Sequence, residues 1–282
     1  MITISNEFLT ARFSEMGAEL KSLKYQEKEY IWNGNPAFWT GSAPVLFPIC
    51  SGLKDDEFIY EGKTYKMQKH GFARRSEFEV EKAEKNTATF LLSSKNCPHD
   101  NYPFEYEFRI TYTLEGKSVV VGYSVKNLTD GDMYFSVGAH EAYDCPEGIE
   151  NYQVVFEKKE NLDAYQLDGA ILTDTVRNYG KNTDVLNLDY SLFENDALIF
   201  KNIASRKVQL VNKTTNEKIE VKFEGFDYLL IWTLEGAPYI CIEPWCGIGD
   251  NINSTKQLPQ KEGIQKLAKG EEFYRKHSFE IL

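Results

Sequence analysis

No run of this chain is apolar for long enough to cross a bilayer as a helix. Its longest apolar stretch, Tyr228 to Leu234, falls far short of the roughly 20 residues that a span requires. The N-terminal MITISNEFLT lacks a basic region followed by an apolar core, so no secretory signal is expected there. Cysteine is scarce. The five residues, Cys50, Cys97, Cys145, Cys241 and Cys246, are odd in number, scattered and free of any CxxC pair. Neither a disulfide framework nor a zinc knuckle is expected, and the reading is a reduced, cytoplasmic protein. Basic residues are outnumbered, 32 Lys+Arg against 43 Asp+Glu, for a net charge of −11. No global field draws nucleic acid, although a local basic pocket remains open. Phosphate loops (GxxxxGK[ST]), dinucleotide fingerprints (GxGxxG), HExxH helices and GxSxG elbows are all missing.

Helical periodicity is also scarce. Tyr190 to Asn195 reads as one short turn, and Ile264 to Lys269 as another, fenced by Gly263 and Gly270. Period-2 alternation dominates instead. Phe104 to Leu114 and Ser118 to Val125 flank Glu115-Gly116-Lys117, a strong hairpin signal. Glu77 to Lys82 with Thr87 to Ser93, and Lys207 to Asn212 with Lys218 to Phe223, read the same way. Leu9 to Phe13, Glu19 to Tyr25 and Glu29 to Trp32 add short strands. Many short strands with frequent turns imply an all-β antiparallel sandwich or barrel. The 42% hydrophobic content is enough to bury a core without staples, and no linker or repeat divides the chain. Residues 1–282 are therefore read as a single domain, monomer or homodimer. The stretches Cys97 to Pro103 and Gly247 to Lys261 are expected to be irregular, and long loops of this kind often carry function.

The chain has only four histidines, so each can be weighed. His99, in a polar loop, and His277, in a charged terminal segment, read as structural or solvated. His70 precedes a glycine, which lets backbone or ligand approach closely, and Lys69, Arg74 and Arg75 surround it. The segment is either a basic surface turn or a pocket that donates hydrogen bonds. His140 follows an apolar strand amid small residues. It is either a satisfied core histidine or a general acid or base, a role its ordinary pKa of about 6.5 suits. Glu243 sits in the apolar run Pro238 to Gly247, where a carboxylate costs free energy unless it is paired or used. Pro244 is expected to end the strand and leave Glu243 at its rim. Trp245 is core or a stacking platform for a sugar ring. His70, His140 and Glu243 could form a His/His/Glu zinc set, but they lack a local pair at metal spacing, so no metal is expected.

Four stretches in order resemble the aldose 1-epimerase (galactose mutarotase) family, in its shorter, divergent mutarotase-related branch. They are PVLFPICSGL from Pro44 to Leu53, His70 to Arg74, Gly138-Ala139-His140, and Glu243-Pro244-Trp245. The resemblance implies a large antiparallel β-sandwich, a small-molecule sugar (hexose or hexose phosphate) as partner, and no cofactor. It implies Glu243 as the general base on the C1 hydroxyl, His140 as the general acid on the ring oxygen, and His70 as a second histidine on the sugar. Asp196 is the candidate for the carboxylate that orients sugar hydroxyls, with Arg74 and Trp245 as further binding residues. Tyr143 and Trp232 are wall or core. Family members carry an arginine shortly before the His70 segment. Here that stretch reads Cys50-Ser51-Gly52-Leu53-Lys54, which leaves Arg74 or Lys54 to take its place. A related branch holds hexose 6-phosphates with arginines. Arg74 and Arg75 would face opposite ways on a strand, which argues against both entering one pocket. The competing class is a sugar-binding or sensing protein on the same fold. It would need no acid–base pair.

Overall fold

The computed structural model describes residues 1–96 and 100–282. Cys97 and His99, and with them the start of the expected irregular loop, lie outside the described residues. Two large antiparallel sheets face each other. The nine-stranded sheet has Glu272–Ile281 at its centre, with the hairpin Ser118–Asn127 and Tyr106–Glu115 beside it. Alternation explains its packing: Phe108, Ile110 and Tyr112 on Tyr106–Glu115, and Val119, Val121 and Tyr123 on Ser118–Asn127, point inward and are fully buried. The hairpin turns at Gly116 with φ +59°, a conformation open to glycine without strain.

The seven-stranded sheet contains Val137–Gly138, Tyr239–Cys246, Tyr228–Trp232, Leu198–Phe200, Asp163–Asp168 and Ile171–Asn178 in that order, with Ala142–Asp144 also paired to Tyr239–Cys246. Tyr239–Cys246 is buried along its whole length. Ile240 and Ile242 pack into the core between the sheets, whereas Tyr239, Cys241 and Trp245 belong to clusters on the outer face. Segments around Trp32–Ser51 cover that outer face. Contacts such as Tyr143 against Phe279 (5.6 Å between ring centroids) and Phe156 against Phe200 (6.0 Å) join the two sheets. A four-stranded sheet at the N-terminus (Ile2–Ser5, Leu9–Phe13, Leu20–Tyr25, Lys28–Glu29) is tied on by Tyr112, whose hydroxyl donates to Ala18 O at 2.9 Å. This is the antiparallel sandwich expected.

Tyr190–Phe193 is the single 3₁₀ turn its sequence suggests, capped by the Asp189 side chain. Ile264 to Lys269 differs from expectation. Gln265–Leu267 is a strand paired with Met133–Phe135, because burying Leu267 while exposing Lys266 follows a period of two and the flanking glycines leave no room for a helix. Pro244 also differs, since it lies inside the strand Tyr239–Cys246.

Candidate active site

Register brings the two central residues together. Gly138 pairs with Trp245 and Ala142 pairs with Cys241, so His140, midway between them, falls opposite Glu243. Side chains directly opposite in an antiparallel pair lie on the same face. The interruption at Ala139–Glu141 follows from Pro244. Ala139 N donates to Pro244 O at 3.1 Å, but proline has no N–H to return the bond. The freed Ala139 carbonyl accepts the Trp245 indole N–H at 2.9 Å instead. The result is that His140 Nε2 stands 3.5 Å from Glu243 Oε2, with both residues buried. The row continues across the sheet, since Leu230 pairs with Glu243 and Ile199 with Leu230. His140, Glu243, Leu230 and Ile199 form the floor of a cleft of about 160 Å³.

His70 forms one wall. It adopts φ +68°, and Gly71 follows at +66°. A Cβ on Gly71 would lie 2.3 Å from Phe47 O, so it is backbone, not ligand, that approaches this glycine. Ser51 N donates to His70 Nδ1 at 3.1 Å. That bond places the ring proton on Nε2, which makes His70 a donor.

Arg74 lies in a short 3₁₀ segment, Ala73–Arg75, rather than on a strand. Only one of the two arginines faces the cleft. Arg74 lines it and donates from Nη2 to Lys69 O at 3.1 Å, whereas exposed Arg75 turns away to Gln68. Lys54 does not reach the cleft; its ammonium donates to Ile252 O at 2.7 Å. Asp196, at φ +73° in the turn before Leu198–Phe200, lies at the cleft 3.5 Å from Lys69 Nζ. Trp245 is buried edge-on to His70, with centroids 5.7 Å apart. Trp232 joins the wall, but Tyr143 faces the core between the sheets.

Trp39 is a lining residue that sequence reasoning missed. Its ring lies 5.1 Å from that of His140. The available signal was Gly41, where a Cβ would sit 2.4 Å from the indole; it becomes legible only once the ring has been located.

Burial dominates the electrostatics. Desolvation pushes His140 down to about 3, lifts Glu243 well above the usual carboxylate range, and holds His70 neutral. Both members of the opposed pair therefore favour their uncharged forms. Among the described residues, His140 Nδ1, Glu243 Oε2 and Arg74 Nε have no hydrogen-bond partner. Buried polar atoms in that state suit a polar ligand. Among the described residues, those gathered within ligand distance of one another are His140, Cys241 and Glu243, with donor atoms within 4.8 Å, and not the trio with His70. Burial raises the Cys241 thiol well above its ordinary range.

Known proteins of this architecture match the chain over nearly its whole length. The model of the aldose 1-epimerase family covers residues 1–280. Plasmid-encoded protein LacX of Lactococcus lactis subsp. lactis is 34% identical over 281 residues, 94% of each chain. The solved galactose mutarotase related enzyme of Lactobacillus acidophilus superimposes with a TM-score of 0.94 at 34% identity, over 99% of this chain and 96% of that one. A galactose mutarotase-like protein of Lactobacillus casei ATCC 334 gives 0.93 at 29% identity, with both chains covered in full. A sandwich matched end to end, with a cleft floored by an opposed histidine and glutamate, places this chain in the aldose 1-epimerase family of mutarotase-like enzymes.

Proposed function

We propose that this protein is an aldose 1-epimerase that interconverts the α and β anomers of a hexose, with Glu243 and His140 exchanging the protons. The observation that carries the reading is the opposed pair on the cleft floor, 3.5 Å apart and, among the described residues, without hydrogen-bond partners at Glu243 Oε2 and His140 Nδ1. Ring opening removes one proton from the C1 hydroxyl and delivers one to the ring oxygen. Glu243 as carboxylate takes the first. The C1–O5 bond breaks as the C1=O1 bond forms, and His140 as imidazolium protonates O5. Rotation about C1–C2 presents the other face of the aldehyde. His140 then recovers the proton from O5 as that oxygen attacks C1, and Glu243 returns its proton to O1.

The pair carries one proton throughout. It alternates between carboxylate with imidazolium and carboxylic acid with imidazole. Burial favours the second form, which is the state the pair occupies while the sugar is open. The bound sugar must therefore stabilise the charged form, since Lys69 favours the Glu243 carboxylate but, together with Arg74, opposes the His140 imidazolium. His70 is suited to donate from Nε2 to the sugar, Arg74 to donate from its unpartnered Nε, and Asp196 to accept from a hydroxyl. Trp39, Trp232 and Trp245 give it apolar faces to lie against.

A second substrate reading, a hexose 6-phosphate, draws on Lys69 and Arg74 lining the same cleft. Asp196 beside Lys69 offsets that charge, so the free sugar is favoured. The deciding experiment is anomer exchange by NMR saturation transfer on equilibrated glucose, galactose and their 6-phosphates. Accelerated exchange that disappears in Glu243→Gln supports the epimerase. Binding with no acceleration on any sugar overturns it in favour of a sensor.

A further inference from the structure

Glu141 follows His140, and its side chain leaves the opposite face of the segment, into the space between the sheets. There its Oε1 lies 3.1 Å from His277 Nε2, with side-chain exposures of 5% and 0%. His277 belongs to Glu272–Ile281 of the nine-stranded sheet, in register with Val121. Tyr123 stacks on its ring at 5.7 Å, and Phe226 meets it edge-on at 5.9 Å. The contact thus crosses the sandwich and ends on the residue next to His140. Among the described residues, few other hydrogen bonds hold the segment. Besides the indole bond, Ala139–Glu141 is tied to its neighbouring strand by Ala139 N to Pro244 O at 3.1 Å and by Ile242 N to Glu141 O at 3.3 Å.

We propose that the Glu141–His277 contact is a positioning device for His140, with both residues acting through the backbone of Ala139–Glu141 and neither touching substrate. The proposal rests on the epimerase reading above. An ionisable pair inside an apolar core stabilises the fold no better than well-packed hydrophobic residues of similar volume. This one also leaves Glu141 Oε2 and His277 Nδ1 without partners among the described residues. What it supplies is a directional bond of fixed length between a ten-residue strand in the centre of the larger sheet and a break in the smaller one. A general acid needs that precision, because its oxygen target must lie within hydrogen-bond reach.

The test follows thermal melting, anomer exchange on the fastest sugar of the panel, and the His140 Cε1–H resonance. The double variant Glu141→Leu/His277→Phe removes both partners, so no charge is left buried alone. It is expected to fold, to lose about tenfold in kcat with KM within about twofold, and to displace the His140 resonance. Glu141→Gln keeps an oxygen facing His277 and is expected to lose about threefold, with a smaller displacement. A folded double variant with wild-type kcat and an unmoved resonance overturns the proposal. If the double variant does not fold, Glu141→Gln decides on the same two readouts, and wild-type values in both overturn it. His140→Asn guards the underlying reading. If that variant exchanges anomers at the wild-type rate, the role of His140 fails and the proposal falls with it, by a result separate from either tie variant.

Discussion

Two buried histidine–glutamate pairs meet at adjacent residues of one strand break, and they differ in almost every respect that matters for chemistry. His277 and Glu141 face each other between the sheets, hydrogen-bonded at 3.1 Å and stacked against Tyr123. His140 and Glu243 face the cleft, 3.5 Å apart and without a hydrogen bond between them. The same residue types do different work because of what lies beside them. The inner pair is closed over by aromatic rings, so each partner's bond is to the other. Both pairs leave an atom of each partner unbonded, but the outer pair has a cavity in front of it where a ligand can engage those atoms. The difference teaches that a short, enclosed pair holds position, whereas a longer pair beside empty space is available for proton exchange.

The comparison breaks hardest at Glu243. Glu243→Gln is expected to slow anomer exchange by about 10²–10⁴-fold, the usual contribution of a positioned acid or base, while sugar binding persists. Saturation transfer together with a binding titration checks this. An exchange rate within twofold of wild type, at retained binding, would reassign the base. At the inner pair the single variant Glu141→Leu strands His277 in the core. Leaving a buried hydrogen-bonding group without its partner costs about 1–3 kcal/mol. A drop in melting temperature of about 2–12 °C is the corresponding shift for a chain near this size. Adding His277→Phe should recover part of that loss. A double variant that melts lower still would show that the two residues are not acting as a pair.

The inner pair could not have been found from sequence. His277 reads as part of a charged tail, RKHSFE, and only the pairing of its strand beside Ser118–Asn127 puts it in the core. The hairpins were legible because alternation and turn residues are local signals, and the antiparallel sandwich followed from them. Three of the gathered residues, His70, His140 and Glu243, stood out as polar groups in apolar or glycine-flanked surroundings. What brings His140 to Glu243 is register between strands about one hundred residues apart in the chain, and His70 is placed beside them by Ser51 and by the pairing of Gly71 with Phe47. The role of Pro244 was misread for the same reason. A proline ends a strand by default, but here its missing N–H faces Ala139, whose carbonyl the Trp245 indole satisfies. Trp39 left no local trace because aromatic residues are common throughout this chain.

A smaller effect separates the pairs by acid. Burial holds His140 at about 3 in the folded protein, against an ordinary value of 6.5. Between those values the unfolded chain binds a proton that the folded one refuses. Stability therefore falls as pH drops below 6.5, and the loss is complete near 3. His140→Asn has no such proton to bind. Its stability relative to wild type is expected to improve by about 2 kcal/mol between pH 7 and pH 5, at 1.36 kcal/mol per unit. Denaturant melts at the two pH values check it. A gap that does not change with pH would place the imidazole in a wetter setting than its burial indicates.

The smallest expected effect concerns Glu243 again, now through the fold. Desolvation raises its pKa, so the carboxyl binds its proton more tightly folded than unfolded. The sign is opposite to that of His140: relative stability is lost as pH rises above 4.5 towards the raised folded value. Glu243→Gln keeps the shape and removes the ionisation. At pH 7 it is expected to melt about 2–4 °C above wild type, equivalent to about 1 kcal/mol, while losing its activity. That opposition between stability and rate is what a carboxylate held for chemistry should show, and Glu141→Gln should not show it, because its oxygen is already bonded within the fold. A lower melting temperature for Glu243→Gln would mean that the cleft pair, like the inner one, is held chiefly for structure.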